Sequence, residues 1–397
     1  MTLSEYTEYD ATGLASLVRR GEVSPLELTR LAREAHDEVN SRINAVIEFY
    51  ADAETVTGAD EGIFHGVPFF RKDVGATETG RLQERGSRLF KGCRADTDSY
   101  FFRRAQKAGL RTIGRTRDAS FGRSRQFVVC RTVRDMAAAL DVFSGPHPGD
   151  PFIIVQPNRP YREELSRPTG KLRVGLARTK WGTVDLDPEV VSAVESTASL
   201  LEEMGHLVTE VEPPYASREY TRVMLAGSSY FAISLEEAAQ TIGREINAET
   251  LEPINLKIYE YGRSSQRPSG DIEEVLRRLR FRVGEAVDPY DILLTPTMPM
   301  VALPHGGIFS TINPTLSAEE FKEADAALYQ YTGVFNVTGQ PSVSLPVAQS
   351  TAGLPIGIQI VGRFGDEATL VRVARDIEEA RPWKNRLPDS RAGRRRS

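Results

Sequence analysis

The sequence predicts an α/β fold, a mixed sheet flanked by helices, on three observations. Apolar runs of strand length alternate with amphipathic runs of helical spacing along most of the 397 residues. Serine, threonine or aspartate, twice followed by proline or three residues on by an acid, stands where the helical runs begin. Glycines stand where they end. Such alternation argues for a sheet with helices packed on both faces.

Each element follows from these signals in order. Ser24-Pro25-Leu26-Glu27 is a capping box with proline at the first helical position, and Leu28, Leu31, Ala32, Ala35 and Val39 then recur at helical spacing. Residues 43–50 read as the following strand, Asp98 as the cap of a helix ending at Gly109, and 110–114 as a strand. Val128-Val129-Cys130 reads as a buried strand, and residues 122–126 suit a tight turn, so Ile113 and Val129 are expected in neighbouring strands of one sheet. Thr132 as N-cap and Asp135 at the third helical position open a helix that runs to Phe143 before Gly145. Asp187-Pro188 opens another that reaches Met204; Gly205 stops it, and 206–211 alternates as a strand. Residues 215–289 are helix-rich and are expected to form a helical cap. The domain expectation is a single α/β domain over 1–387 followed by a disordered basic tail, 388–397.

Composition excludes several classes of function. A formal charge of −5 removes the basic field that nucleic-acid or anionic-membrane binding requires. No stretch approaches the ~20 apolar residues of a membrane span, and the polar N-terminus is unlike a signal peptide. Two cysteines, Cys93 and Cys130, make no disulfide framework, so a cytoplasmic location is expected. His36, His65, His147, His206 and His305 lack ligand spacing, and no phosphate loop is present, so neither a metal nor another cofactor is expected. The expected partner is a small-molecule substrate, with a homodimer left open.

An ordered series of motifs carries more. His65-Gly66-Val67-Pro68-Phe69-Phe70-Arg71-Lys72-Asp73 is followed by the run from Gly114 to Gly122, by Arg131-Thr132-Val133-Arg134-Asp135, by Tyr290-Asp291-Ile292-Leu293-Leu294-Thr295-Pro296-Thr297, by Phe335-Asn336-Val337-Thr338-Gly339-Gln340-Pro341 and by Gly353-Leu354-Pro355-Ile356-Gly357-Ile358-Gln359. No single motif is decisive, but the series in this order resembles the amidase signature family over nearly the whole chain. The resemblance implies Lys72 as the catalytic lysine, and Thr295, Thr297, Asn336, Thr338 and Gln340 as substrate-binding residues. It also exposes a gap. The family carries between the second and third landmarks a Gly/Ser-rich core with a nucleophilic serine and a second serine in cis-peptide conformation; here only residues 123–130 separate them. The expected fold is therefore an amidase-signature-like mixed sheet flanked by helices with the central Ser-bearing strands deleted. Arg115 stands where the family usually has lysine, and Ser120 where it usually has glutamate.

In the family's relay the lysine deprotonates the cis serine, which takes the proton of the nucleophile while backbone N–H groups hold the oxyanion. Lys72 follows the apolar Val67-Pro68-Phe69-Phe70, which favours a buried, pocket-facing amine; the alternative is a lysine paired with Asp73. Cys130, beside Arg131 at the junction, is a candidate substitute nucleophile, although Val128-Val129-Cys130 reads as a buried strand, where a cysteine is inert. Ala226-Gly227-Ser228-Ser229-Tyr230 reads as small residues in a helix, Ser87, Ser120 and Ser124 as structural or solvent-facing, and Arg131 and Arg134 as structural. The sequence thus points to a repurposed enzyme without serine hydrolase chemistry, performing cyclisation, elimination or isomerisation by general acid–base catalysis on a small metabolite in specialised biosynthesis. Two alternatives stand beside it, an inactive pseudoamidase serving as binding protein or scaffold, and a residual amide hydrolase with a substitute nucleophile.

Overall fold

The computed structural model describes residues 1–117, 127–150, 156–264, 271–388 and 390–393. It is a mixed α/β fold, and its residues group into two compact units where the sequence reading takes 1–387 as one domain: Met1–Arg167 with Glu378–Ser397, and Pro168–Ile377.

The first unit opens with α1 (Leu3–Tyr6), α2 (Ala11–Arg19) and α3 (Pro25–Ile43). The expected N-cap of α3 forms, with Ser24 accepting the N–H of Glu27 at 3.1 Å and Pro25 in the first turn, but the capping box is not completed, since the Glu27 carboxylate accepts from the Met1 ammonium at 2.8 Å. Next come β1 (Val46–Phe49), β2 (Pro68–Lys72), α4 (Tyr100–Lys107), β3 (Arg111–Thr116), α5 (Val133–Phe143) and the short α6 (Tyr161–Glu164). Ser99, not Asp98, caps α4 by accepting the N–H of Phe102; Asp98 is drawn off to the backbone and hydroxyl of Thr79.

The three strands form one sheet in the order β1-β3-β2. β2 and β3 run parallel through a crossover that contains α4, with Lys72 opposite Thr116, and β1 pairs antiparallel to β3. Glu48 faces Arg115 in that register. Gly114 lets β1 and β2 close on β3, since a β-carbon there would collide with the Glu48 carbonyl and stand 2.9 Å from the Phe70 ring. One core cluster joins Leu14, Leu17 and Val18 of α2 to Ala138 and Ala139 of α5 and to Phe64 and Val67; a smaller one sets Ala32, Tyr50, Ala53 and Ile113 behind the sheet.

Two sequence expectations fail here. Val128-Val129-Cys130 is not a strand: these residues are irregular coil, and Val129 is 105 % exposed. Ile113 and Val129 are therefore not strand neighbours, and the expected turn at 122–126 lies outside the described residues. An apolar triplet is too short to define a strand by itself; without a pairing edge its backbone polar groups are better satisfied at the surface. Within the stretch expected to be disordered, Gly393 donates its N–H to Glu38 at 3.0 Å and the Ser390 carbonyl accepts from Arg42, which holds these residues against α3.

The second unit contains β4 (Arg173–Leu176), α7 (Pro188–Glu203), β5 (Leu207–Glu210), α8 (Ser217–Ile242), α9 (Pro253–Ser264), α10 (Asp271–Val287), β6 (Ile292–Pro296), α11 (Ala318–Leu328), α12 (Gly333–Thr338), β7 (Ser342–Gln349), β8 (Pro355–Gly362) and α13 (Glu367–Ala380), within which the division between units falls. Its sheet has the order β5-β4-β6-β8-β7, parallel from β5 to β6 and antiparallel from β6 to β7. Asp187 accepts the N–H of Glu189 at 2.8 Å and, with Pro188, opens α7 as the sequence predicts. Among the described residues of 215–289, α8, α9 and α10 make the stretch helix-rich as expected, and α8 and α10 send Tyr220, Leu279 and Val283 into a core cluster with Trp181, Leu293, Val334 and Phe335. Ser228 and Ser229 are buried within α8, as their reading as small helical residues requires.

Candidate functional site

Lys72 is the last residue of β2, half-buried, with Val67 buried and Phe69 and Phe70 half-buried before it. Side chains alternate along a strand, so Arg71 and Asp73 point to the face opposite Lys72. That opposite face is packed with charge. Arg71 is 1 % exposed, and its guanidinium donates to the Tyr50 hydroxyl at 2.8 Å, to Gln83 Oε1 at 2.6 Å and to the Leu82 carbonyl. Asp73 is fully buried and accepts from Arg115 Nη1 at 2.7 Å, from the Glu84 N–H at 3.1 Å and from the Gly86 N–H at 3.0 Å.

Asp73 thus ties the end of β2 to Arg115 and to two backbone N–H groups of the 84–86 turn. Arg115, 4 % exposed, also reaches Glu48 Oε2 and Glu84 Oε2, each at 2.6 Å. Three carboxylates around one guanidinium hold it charged at all accessible pH. Burial pushes Glu84 up, but the Gly92 N–H and Arg115 outweigh it and hold its carboxyl below the usual range. Tyr50 is pushed up to about 12 by burial, against the pull of Arg71, so it stays a neutral hydroxyl. Burial likewise raises Glu78, 3.2 Å from Tyr50 Oη.

Cys130 belongs to another cluster of the same unit. The residue as a whole is exposed, yet its thiol lies toward acidic neighbours: burial of the sulfur, with Asp135 and Glu378 adding to it, pushes the thiol up to about 12. That is the reverse of an activated nucleophile, which needs a depressed value and a cationic setting. Arg131, expected to supply the cation, instead donates to the carbonyls of Thr7 and Tyr9. The neighbouring groups are helix caps. Thr132 accepts the N–H of Asp135, Asp135 accepts the N–H groups of Ala11 and Thr12, and Arg134 grips Asp10 with two contacts of 2.6 Å. The structural reading of Arg131 and Arg134 stands. Ser87 caps a short 3₁₀ turn, and Ser120 and Ser124 lie outside the described residues.

The five residues implied as substrate-binding lie in the second unit and form two groups. Thr295, fully buried on β6, accepts from Gln359 Nε2 at 3.1 Å, and the same amide donates to the Tyr331 carbonyl at 3.1 Å. Thr297 shares a hydrogen bond of 2.7 Å with Ser344 of β7. Gly357 lies between them, where a β-carbon would come within 2.9 Å of Ser344 Oγ. Thr338 bonds back to the Val334 carbonyl at 3.1 Å and to Gln340, while Asn336 is half-buried on α12.

Sequence reasoning missed Arg71, Glu48, Glu84 and Gln83 on the face opposite Lys72, and Ser344 beside Thr297. A signal existed for the first. Arginines at 71 and 115 inside apolar strands cannot be left unpaired in a core, so each demanded buried carboxylates or carbonyls. Among the described residues no group of histidine, cysteine, aspartate and glutamate could hold a metal ion, and no helix is long and apolar enough to cross a membrane.

The fold is that of a mixed α/β protein, with Lys72 at the end of a strand of its first sheet. The Amidase family profile matches residues 118–371, and the chain belongs to that family. It is 27 % identical to 6-aminohexanoate-cyclic-dimer hydrolase of Paenarthrobacter ureafaciens, with 96 % of each chain covered. It is 26 % identical to the putative amidase AmiC of Mycobacterium leprae, covering 95 % of this chain and 96 % of that one. Among solved structures, that of 6-aminohexanoate cyclic dimer hydrolase complexed with substrate superposes with a TM-score of 0.86 at 26 % identity, covering 97 % and 99 % of the two chains. A bacterial aryl acylamidase shares the fold at TM-score 0.82 and 17 % identity, over 98 % of this chain and 100 % of that one.

These likenesses overturn the functional expectation drawn from the sequence. Relatives that match over nearly the whole chain are named a cyclic-dimer hydrolase and a putative amidase, so neither a cyclisation, elimination or isomerisation nor a pseudoamidase scaffold is the reading they support.

Proposed function

We propose that this chain hydrolyses small uncharged amides, with Lys72 as the group that moves the proton. The observation that carries the reading is the match to 6-aminohexanoate-cyclic-dimer hydrolase, end to end in sequence and at TM-score 0.86 in structure. By that likeness the first substrate class to test is a cyclic amide of an ω-amino acid.

Amide hydrolysis needs a nucleophile, a proton for the departing amine and donors for the oxyanion. Neither serine of the family's relay stands at a matching position between Gly122 and Arg131. The aligned span of 478 positions, longer than this 397-residue chain, supports the absence of the Gly/Ser-rich core. The reading therefore gives the attack to water. In this reading the Lys72 amine takes a proton from water as its oxygen adds to the carbonyl carbon. It returns that proton to the amide nitrogen as the C–N bond breaks, releasing a carboxylic acid and an amine.

The test is amine release from the cyclic dimer of 6-aminohexanoate, a linear alkyl amide and an aryl acylamide, by the wild type and by Lys72→Met. Release by the wild type that falls about 10²-fold or more in a folded Lys72→Met variant supports the reading. No release from any of the three, or full activity in the variant, overturns it.

A further inference from the structure

We propose that Arg115 is a positioning residue for Lys72, acting from the opposite face of the strand through Asp73. The inference rests on the reading of Lys72 as the proton-transfer group. Lys72 is the last residue of β2, where the register with β3 ends at the pair Lys72–Thr116 and, among the described residues, the Asp73 N–H, 3.3 Å from the Thr116 carbonyl, is the one backbone hydrogen bond that continues it. A strand end held by one long hydrogen bond frays unless its side chains are tied. Here they are tied on both sides of Lys72.

Arg71 binds the 76–83 loop through Gln83 and the carbonyls of Ala76 and Leu82, and Gln83 returns a hydrogen bond to the Asp73 carbonyl. Arg115 does the rest. Its three donor edges go to three different segments, Nε to Glu48 on β1, Nη1 to Asp73 and Nη2 to Glu84, so one planar fork sets β1, the end of β2 and the 84–86 turn in a single geometry. A lysine at 115 keeps the charge but satisfies these directions only as a point charge on a flexible stem. Displacement of residues 71–73 is then carried through the backbone to Lys72, and a misplacement of about 1 Å in a reacting group costs on the order of 10² in rate.

The experiment compares the wild type, Arg115→Lys, Arg115→Gln and Glu84→Gln. Lysines are ¹³C-dimethylated, and the Lys72 resonance is assigned by its loss in Lys72→Arg. The fork predicts that the resonance shifts or broadens in Arg115→Lys as it does in Arg115→Gln, because charge alone does not restore the geometry. It further predicts that kcat for amide hydrolysis falls about tenfold or more with KM little changed. A folded Arg115→Lys whose Lys72 signal and kcat match the wild type overturns the proposal. Should both Arg115 variants fail to fold, Glu84→Gln removes one arm only, and an unmoved Lys72 signal there overturns it equally. The resonance is read without turnover, so a protein that hydrolyses none of the amides still decides the positioning role while the functional reading fails separately.

Discussion

The hydroxyl of Tyr220 lies against the α-carbon of Gly333, in the space that a β-carbon at 333 would need, with Cζ only 2.7 Å from that position. Tyr220 is 4 % exposed and packs edge-on against Tyr215, so it has nowhere to retreat. Gly333→Ala should therefore overpack the core of the second unit and cost about 1–3 kcal/mol in urea unfolding. Tyr220→Phe removes the nearest atom, and the double variant should recover part of the loss. A Gly333→Ala protein as stable as the wild type would show that α12 shifts freely away from α8.

His206 makes stability depend on pH. Its Nδ1 accepts the Leu172 N–H at 3.1 Å, burial holds its pKa below the ordinary value, and the folded state keeps it neutral. The unfolded chain protonates it below pH ~6.5, so there the unfolded state binds more protons and stability falls as pH falls. Above that value the contribution is fully present. His206→Gln carries no titrating ring, and its urea midpoint should drop less than the wild type's between pH 7.5 and pH 5.5, each value chosen to lie about one unit from the ring's ordinary pKa. Equal drops in the two proteins would remove His206 from the account.

Cys130 should behave as a poor nucleophile. With burial, Asp135 and Glu378 pushing its thiol up to about 12, alkylation by iodoacetamide at neutral pH should be slower than that of an ordinary cysteine, and Cys130→Ser should hydrolyse amides as the wild type does. Rapid stoichiometric labelling of Cys130 at neutral pH would restore it as a substitute nucleophile.

A broad serine-directed fluorophosphonate should leave the protein unlabelled while amide hydrolysis continues, because the proposed reaction gives the attack to water and forms no acyl-serine. Covalent labelling of one serine, abolished by its alanine variant along with turnover, would replace water with that serine as the attacking group.

The local caps of the fold were legible in the sequence. Ser24-Pro25, Thr132 and Asp187-Pro188 each mark a helix start found in the structure, since a cap is made between residues two or three apart. The alternation of strands with helices, the helical run after Tyr215 and the place of Lys72 in an apolar strand were legible for the same reason: each depends on neighbours along the chain.

Tertiary structure alone decided what those elements meet. Asp135 has the spacing of a residue serving its own helix, yet it caps α2, 123 residues away at Thr12. Asp73 stands beside Lys72 in sequence but is bound by Arg115, which the parallel register of β2 and β3 brings to it across 42 residues. Whether Val128-Val129-Cys130 became a strand depended on a free edge, which three apolar residues cannot specify. Buried charges make the difference sharpest. A guanidinium inside a sheet must find carboxylates, and the sequence states that need without stating which ones the register will deliver.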